Sequence, residues 1–299
     1  MDILLTRVFS GMTSGSIYVL IALGLVVVFR SSTTINFAQG EFALFTTYFA
    51  WWLTEKGASI WAAMVPAILL GFILGALAER FLVRPVRKRD ETAILIIGLG
   101  LFTGLNGLGG WIWGSDDKVY PTVFPSAEGD YFTIMGARLH YDSILVIVSM
   151  AAVVAGLTLL FSKTAVGLQM RAVATSPESA ALCGIKVGRI LTLSWGLSAA
   201  IGSFAGVILV PMVPPGQLNL ASMFHILIFA AAAALLGGLD SIKGAVVGGL
   251  VLGVGLALIN GYATFIHGSF SLTIALVLIV IVLTVRPAGL FGTRRLERV

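Results

Sequence analysis

The chain has 299 residues, of which 58% are hydrophobic and only 11% charged, with a formal net charge of +5. A soluble domain carries roughly a quarter charged residues, so too little polar surface remains here to solvate a soluble enzyme or a nucleic-acid reader. The basic balance then reflects where Lys and Arg stand around a membrane, and no nucleic-acid partner is expected.

Nine apolar spans can be read in chain order, at roughly 11–29, 35–53, 59–83, 93–113, 143–161, 190–213, 223–239, 244–262 and 269–285. Each is about as long as a helix needs to cross a hydrocarbon core of about 30 Å. The expected fold is an all-α integral membrane bundle of eight to nine helices in one domain, 1–299. The first span lacks a clear basic leader and is expected to be a retained helix rather than a cleaved signal. The second begins at "INFAQGEF", 35–42, whose polar start predicts a broken or re-entrant element.

Orientation follows from the basic residues. Arg30, then Arg80, Arg84, Arg87, Lys88 and Arg89, then Lys163, Arg171, Lys186 and Arg189, then Lys243, then Arg286, Arg294, Arg295 and Arg298 fall on one side of nine alternating spans. Those are fifteen of the nineteen; Arg7, Lys56, Lys118 and Arg138 fall on the other. This pattern places the N-terminus outside and the C-terminus in the cytoplasm. Two connections are long: an outer loop at 114–142 and an inner loop at 162–189. Within the inner loop, Ser176, Pro177 and Glu178 read as a helix start, with Ser176 as the N-cap.

The spans contain four glycine pairs at small-xxx-small spacing: Gly71 and Gly75, Gly100 and Gly104, Gly202 and Gly206, Gly249 and Gly253. That spacing lets helix backbones approach closely. Glu79 and Arg80 stand near the inner end of the third span, where side chains reach the interface. Glu41 alone lies well inside a span, about 9 Å deep by helix rise. A carboxylate there must face the bundle interior, a partner or water. Two roles are open for it: fixing the architecture, or lining a transport path. Asn36 and Gln39 are i, i+3 neighbours beside it. Asn106, Asn260 and the Ser and Thr of 46–47 and 192–198 read as interhelical hydrogen-bonding groups. His225, His267 and the single Cys183 offer no metal set. No phosphate-binding G-x-x-x-x-G-K-[ST] loop is present, and no catalytic constellation is evident, so the chain is expected to carry no cofactor and no enzymatic activity of its own.

Several segments together resemble one family. "SGSIYVLIALGLVVVF…INFAQGEF" looks like the first block of the permease subunits of bacterial branched-chain amino acid ABC transporters, with Gln39 where a His is usual. "ERFLVRPVR", "GLQMRAVATSPESAALCGIKVGRI", "LLGGLDSIKGAVVGGLVLG" and "VRPAGLFG" resemble later blocks in the same order, and the pattern is closer to the shorter of the two paired permeases. Glu178 to Gly184 also resembles the cytoplasmic E-A-A-x-x-x-G signature of ABC importer permeases, with Ser179 departing from it and no Ile-x-Leu-Pro ending. The resemblance implies a multi-pass inner-membrane subunit that pairs with a second permease, two cytoplasmic ATPase subunits that bind ATP and Mg, and an extracytoplasmic binding protein. It implies an ATPase-docking helix carrying Glu178, Ala180, Ala181 and Gly184, with Arg171 nearby, and a polar node of Asn36, Gln39, Glu41 and Asn106. Alternatives stay open: the same architecture with urea, short amides, other amino acids or small aromatic acids as cargo, or a self-contained secondary transporter or channel.

Overall fold

The computed structural model describes every residue except 1, 88–90, 124–130, 135–136, 213–216, 263–269, 287 and 293–299. The chain is almost wholly helical. Among the described residues, six helices are long and apolar enough to cross a membrane, and shorter apolar helices accompany them. Two long helices form the centre: α1 (Asp2–Ser32) and α9 (Val187–Leu209). Around them pack α2 (Gln39–Glu55), α3 (Ile60–Ala78), α10 (Ser222–Gly237) and α11 (Ile242–Tyr262). The periphery holds α5 (Glu91–Trp113), α6 (Tyr141–Lys163) and α12 (Ser271–Val285). Burial separates the layers: 83% of the apolar window of α9 lies inside the protein, against 22% for α5. Outer helices with few buried residues present Leu, Ile and Val to lipid, which costs nothing because the tails are equally apolar.

Small residues at the crossings permit this packing. A Cβ on Gly253 would overlap the backbone of Gly15, so α1 and α11 meet backbone to backbone. The glycine pairs on α3, α9 and α11 are likewise filled by neighbours, whereas Gly100 and Gly104 of α5 meet nothing within 4 Å. Three of the four pairs therefore serve packing within the chain, and the fourth does not.

One end of the bundle gathers the basic residues. Arg30, at the close of α1, lies 4.4 Å from the Phe161 ring at the end of α6, and Arg84 bonds to the carbonyl of Gly188 at the start of α9. Here α7 (Ala165–Thr175) and α8 (Pro177–Leu182) form the connection between α6 and α9. The sequence pattern of 162–189 points to α8 but misses α7, whose Thr164 cap accepts from the Gly167 amide at 3.1 Å. At the opposite end, β1 (Lys118–Val119) pairs antiparallel with β4 (Gln217–Leu218), and β2 (Tyr131–Ile134) with β3 (Ala137–His140). The first pairing staples the segment after α5 to the segment before α10.

The end of α3 departs from expectation. Residues Glu79–Val83 form a π-helical turn leading into α4 (Arg84–Val86). The wider turn aligns side chains five apart. Glu79 is accordingly buried and paired with Arg84, Oε2 to Nη2 at 2.8 Å, rather than reaching for an interface. Thr192 of α9 donates to the same Glu79 oxygen at 2.6 Å, so the carboxylate pins α3 to α9. This pairing offsets the cost of burying the carboxylate.

Candidate functional site

The α1–α2 connection is where the polar residues converge. After Ser32 the chain leaves the helix through Thr33, which takes φ 58. A β-branched residue in the left-handed region costs on the order of 1–3 kcal/mol, and such strain persists only when the surroundings over-determine it. The segment 33–38 is non-helical and runs back alongside α1, so α2 starts at depth. Gly24 of α1 lies against Gln39 and is six residues from Arg30, about 9 Å by helix rise.

Each polar group there has a partner that the local sequence explains only in part. Asn36 Oδ1 accepts the Ala38 amide at 3.1 Å, and its Nδ2 donates to Gln39 Oε1 at 3.4 Å, as the i, i+3 spacing predicts. Gln39 Nε2 donates to the Ser198 carbonyl at 2.9 Å. The Ser198 hydroxyl lies 2.6 Å from Gln39 Oε1 and 2.8 Å from the Gly24 carbonyl, with one proton to share. Gln39 thus bridges α1, α2 and α9. Its amide occupies a slot that a Cβ on Gly24 or Gly202 would close.

Glu41, two residues on and so turned about 200° around α2, faces a different neighbour. Asn106 Nδ2 donates to Glu41 Oε2 at 3.1 Å and to the Leu220 carbonyl at 2.9 Å. Leu220 stands just before α10, so one amide clasps α5 to the starts of both α2 and α10. Glu41 Oε1 is enclosed and has no hydrogen-bond partner among the described residues. The four residues singled out from the sequence fall into two separate hydrogen-bonded groups: Asn36 and Gln39 against α9, and Glu41 with Asn106 beside α10. Sequence reading marks Ser198 as an interhelical hydrogen-bonding group and Gly202 as a close-approach position without pairing either with Gln39, and it misses Gly24. They stand far from Gln39 in the chain, and a serine or glycine in an apolar run carries no mark of its partner. Further along α2, Thr46 Oγ1 reaches Ser203 Oγ of α9 at 2.9 Å, in line with the interhelical role expected of 46–47.

The connection at the basic end has the expected start. The Ser176 hydroxyl accepts the Ser179 amide at 3.2 Å and Pro177 opens α8. Its close places Gly184, expected on the docking helix with Ala180 and Ala181, beyond the helix end. Gly184 takes φ +81, its amide bonds to the Ala181 carbonyl at 2.9 Å, and the Ile185 amide bonds to the Ala180 carbonyl at 3.0 Å. This is a Schellman close, in which the glycine terminates the helix rather than lying on its face. Ala180 points into the protein, whereas Glu178, Ala181, Leu182 and Arg171 are exposed, Leu182 to 91%. Helix α8 therefore presents Ala181 and Leu182 outward on a short rigid turn. The described residues contain no His, Cys, Asp and Glu grouping able to hold a metal ion. His225 stands exposed on α10, and His267 lies outside the described residues.

Comparison with known proteins covers nearly the whole chain. Residues 7–284 match the family model described as "Branched-chain amino acid transport system / permease component". The chain is 31% identical over 306 residues to the high-affinity branched-chain amino acid transport system permease protein LivH of Escherichia coli, covering 99% of this chain and 97% of that one. It is 31% identical over 309 residues to BraD, the permease protein of the same description in Pseudomonas aeruginosa, with 99% and 98% covered. A probable LivH of Methanocaldococcus jannaschii is 30% identical over 301 residues, with 95% and 91% covered.

Proposed function

Because the chain belongs to the family of branched-chain amino acid transport permease components, we propose that it is the membrane-spanning subunit of an ATP-driven importer of leucine, isoleucine and valine. The observation that carries this reading is likeness at 31% identity across 99% of this chain and 97% of a branched-chain permease. The buried polar junction supports it: α2 and α10 both begin inside the apolar bundle, and broken helices that meet inside a bundle are where transporters place their paths.

The apolar helices cross the inner membrane nine times in this reading, with α2 and α10 as partial spans, the N-terminus outside and the basic end in the cytoplasm. The whole chain acts as one permease domain. It pairs with a second permease, takes cargo from an extracytoplasmic binding protein, and leaves ATP and Mg to two ATPase subunits. Helix α8 is the docking element for those subunits, since an exposed apolar side chain on a capped surface turn fits a groove on a partner. Glu178 and Arg171 flank it at its rim.

Reconstitution of the chain with its partners in proteoliposomes tests the cargo. ATP-dependent accumulation of L-leucine is expected, and accumulation of urea or an aromatic acid in its place would overturn the assignment. Thiol labelling tests the orientation. Native Cys183 is expected to react only after cells are permeabilised, whereas Asp117→Cys in a Cys183→Ser background reacts in intact cells. For docking, Ala181→Trp and Leu182→Ser are expected to lose co-purifying ATPase while the chain still inserts. Retention of ATPase at the wild-type level in both would remove α8 from that role.

A further inference from the structure

A hollow of about 450 Å³ lies between the middle of α1, the 3-10 turn Val210–Met212 that follows α9 and the first turns of α10, within the size range of small-ligand sites. Its walls divide by chemistry. Ile17, Val210, Ile226 and Phe229 supply an apolar wall, with the Tyr18 ring stacked on Phe229 at 5.0 Å between centroids. Gln217, Asn219 and Ser222 supply uncharged polar groups where the chain enters α10. Among the described residues no Asp, Glu, Lys or Arg lines it, and His225 is its one basic side chain. Tyr18 is twelve residues from Arg30, about 18 Å along α1, so the hollow sits near mid-depth and away from the basic end.

A second hollow of about 200 Å³ adjoins the first and shares Ser14 and Tyr18 with it. Arg7 stands at its rim, with Asn260 and Ser271 opposite, the Asn260 Nδ2 donating to Ser271 Oγ at 2.8 Å. Arg7 has no acidic partner among the described residues. The pair of hollows thus passes from a single cation to a neutral, partly apolar chamber.

We infer that the larger hollow is the seat of the cargo within this subunit, taking an aliphatic α-amino acid as its zwitterion. This rests on the transport reading given above and adds where the cargo sits. The apolar wall takes the branched side chain, and the amides of Gln217 and Asn219 with the Ser222 hydroxyl face the carboxylate and ammonium. Arg7 draws the carboxylate toward the entrance. No carboxylate among the described lining residues can pair a basic amino acid, and only the His225 imidazole meets an acidic one, so extra charge on the cargo is disfavoured. A sugar would leave several hydroxyls against Ile17, Ile226 and Phe229, and unpaired polar groups are strongly selected against. Neutral partners also hold a zwitterion weakly, which suits a subunit that must release it. The floor connects to the buried junction, because Leu220, next to Asn219, accepts the Asn106 amide that also holds Glu41.

The test uses the assembled transporter in right-side-out vesicles and proteoliposomes, with L-leucine, L-valine and L-phenylalanine as probes. Ala221 lines the mouth and is exposed. In a Cys183→Ser background, Ala221→Cys is expected to react with an impermeant thiosulfonate, and millimolar L-leucine is expected to slow the reaction. Ala221→Trp, which fills the mouth, should lower L-leucine uptake at least tenfold with ATPase association unchanged. Phe229→Ala should raise uptake of L-phenylalanine relative to L-valine by about tenfold, the scale on which pocket size discriminates apolar side chains. A purely structural effect lowers all three probes together and leaves that ratio fixed. Unslowed labelling with an unchanged ratio overturns the seat while the wild-type complex still transports L-leucine. Failure of the wild-type complex to transport any of the three sinks the transport reading, and with it the ligand assigned here.

Discussion

Helices α2 and α10 face the same physical problem and solve it in opposite ways. Each is short, 17 and 16 residues, and each starts within the bundle after a stretch of irregular backbone. Free backbone groups at such a start must be satisfied by protein or by water in a cavity. At α2 the surroundings close in: Asn36, Gln39 and Glu41 are buried, and the Gln39 amide fills a slot between α1 and α9. At α10 they stand back: Asn219 Oδ1 accepts the Ala221 amide at 3.0 Å, and Ala221 and Asn219 border an open hollow. The plugged start fixes the helix, and the open start leaves room for a guest.

Substitutions can break this contrast, and the largest effect is expected at the plug. Gly202→Leu drives a side chain into Gln39, and overpacking of this kind costs about 3 kcal/mol. Ala221→Leu at the open start is expected to stay within about 0.5 kcal/mol, as exposed substitutions do. Thermal unfolding of the detergent-solubilised chain, followed by size-exclusion yield, separates the two. Equal losses would mean the two starts are equally tight.

Gln39→Leu comes next. It removes the bond to the Ser198 carbonyl and takes away the acceptor of the buried Asn36 amide, which is left unpaired at about 1–3 kcal/mol. The same unfolding measurement reads it, and a neutral outcome would show that the slot tolerates an apolar filler.

Glu41 sharpens the comparison because it links both starts through Asn106. Glu41→Gln keeps an acceptor for the Asn106 amide, whereas Glu41→Leu does not. Glu41→Leu should therefore be less stable than Glu41→Gln by about 1 kcal/mol, the net value of one such bond. Identical losses in the two variants would assign the effect to charge.

Among the substitutions of polar residues, the smallest effect is expected at Asn219→Ala. It removes a capping acceptor worth about 1 kcal/mol or less, and water entering the hollow can replace it. A loss matching that of Gln39→Leu would show the α10 start to be closed rather than open.

What could be read in advance follows from the range of the interactions. Apolar runs mark helices because helix length and lipid thickness act on contiguous residues, so the element positions were legible. The Ser176 cap and Pro177 start of α8 were legible for the same reason. The polar junction was visible as a cluster, since Asn36, Gln39 and Glu41 lie within six positions. That Ser198 and Gly202 receive Gln39 was not, because the spacing that marks them as a hydrogen-bonding and a close-approach position names no partner. The π turn was hidden as well: "ERFLV" has ordinary helical composition, and only Glu79's bonds to Arg84 and Thr192 show why the extra residue is accommodated. Gly184 was misread because its spacing from Ala180 and Ala181 suits a continuing helix, while its positive φ ends one.

Helix α5 leaves one consequence. Gly100, Gly104 and Gly107 meet no neighbour within 4 Å, and side-chain bonds from Asn106 hold the helix to the bundle. Three unfilled glycines lower helix stability by about 2 kcal/mol relative to alanine, so local opening is favoured roughly thirtyfold. In the isolated subunit, the backbone amides of α5 should exchange with deuterium ahead of those of α9, making α5 the first helix to melt as the protein warms.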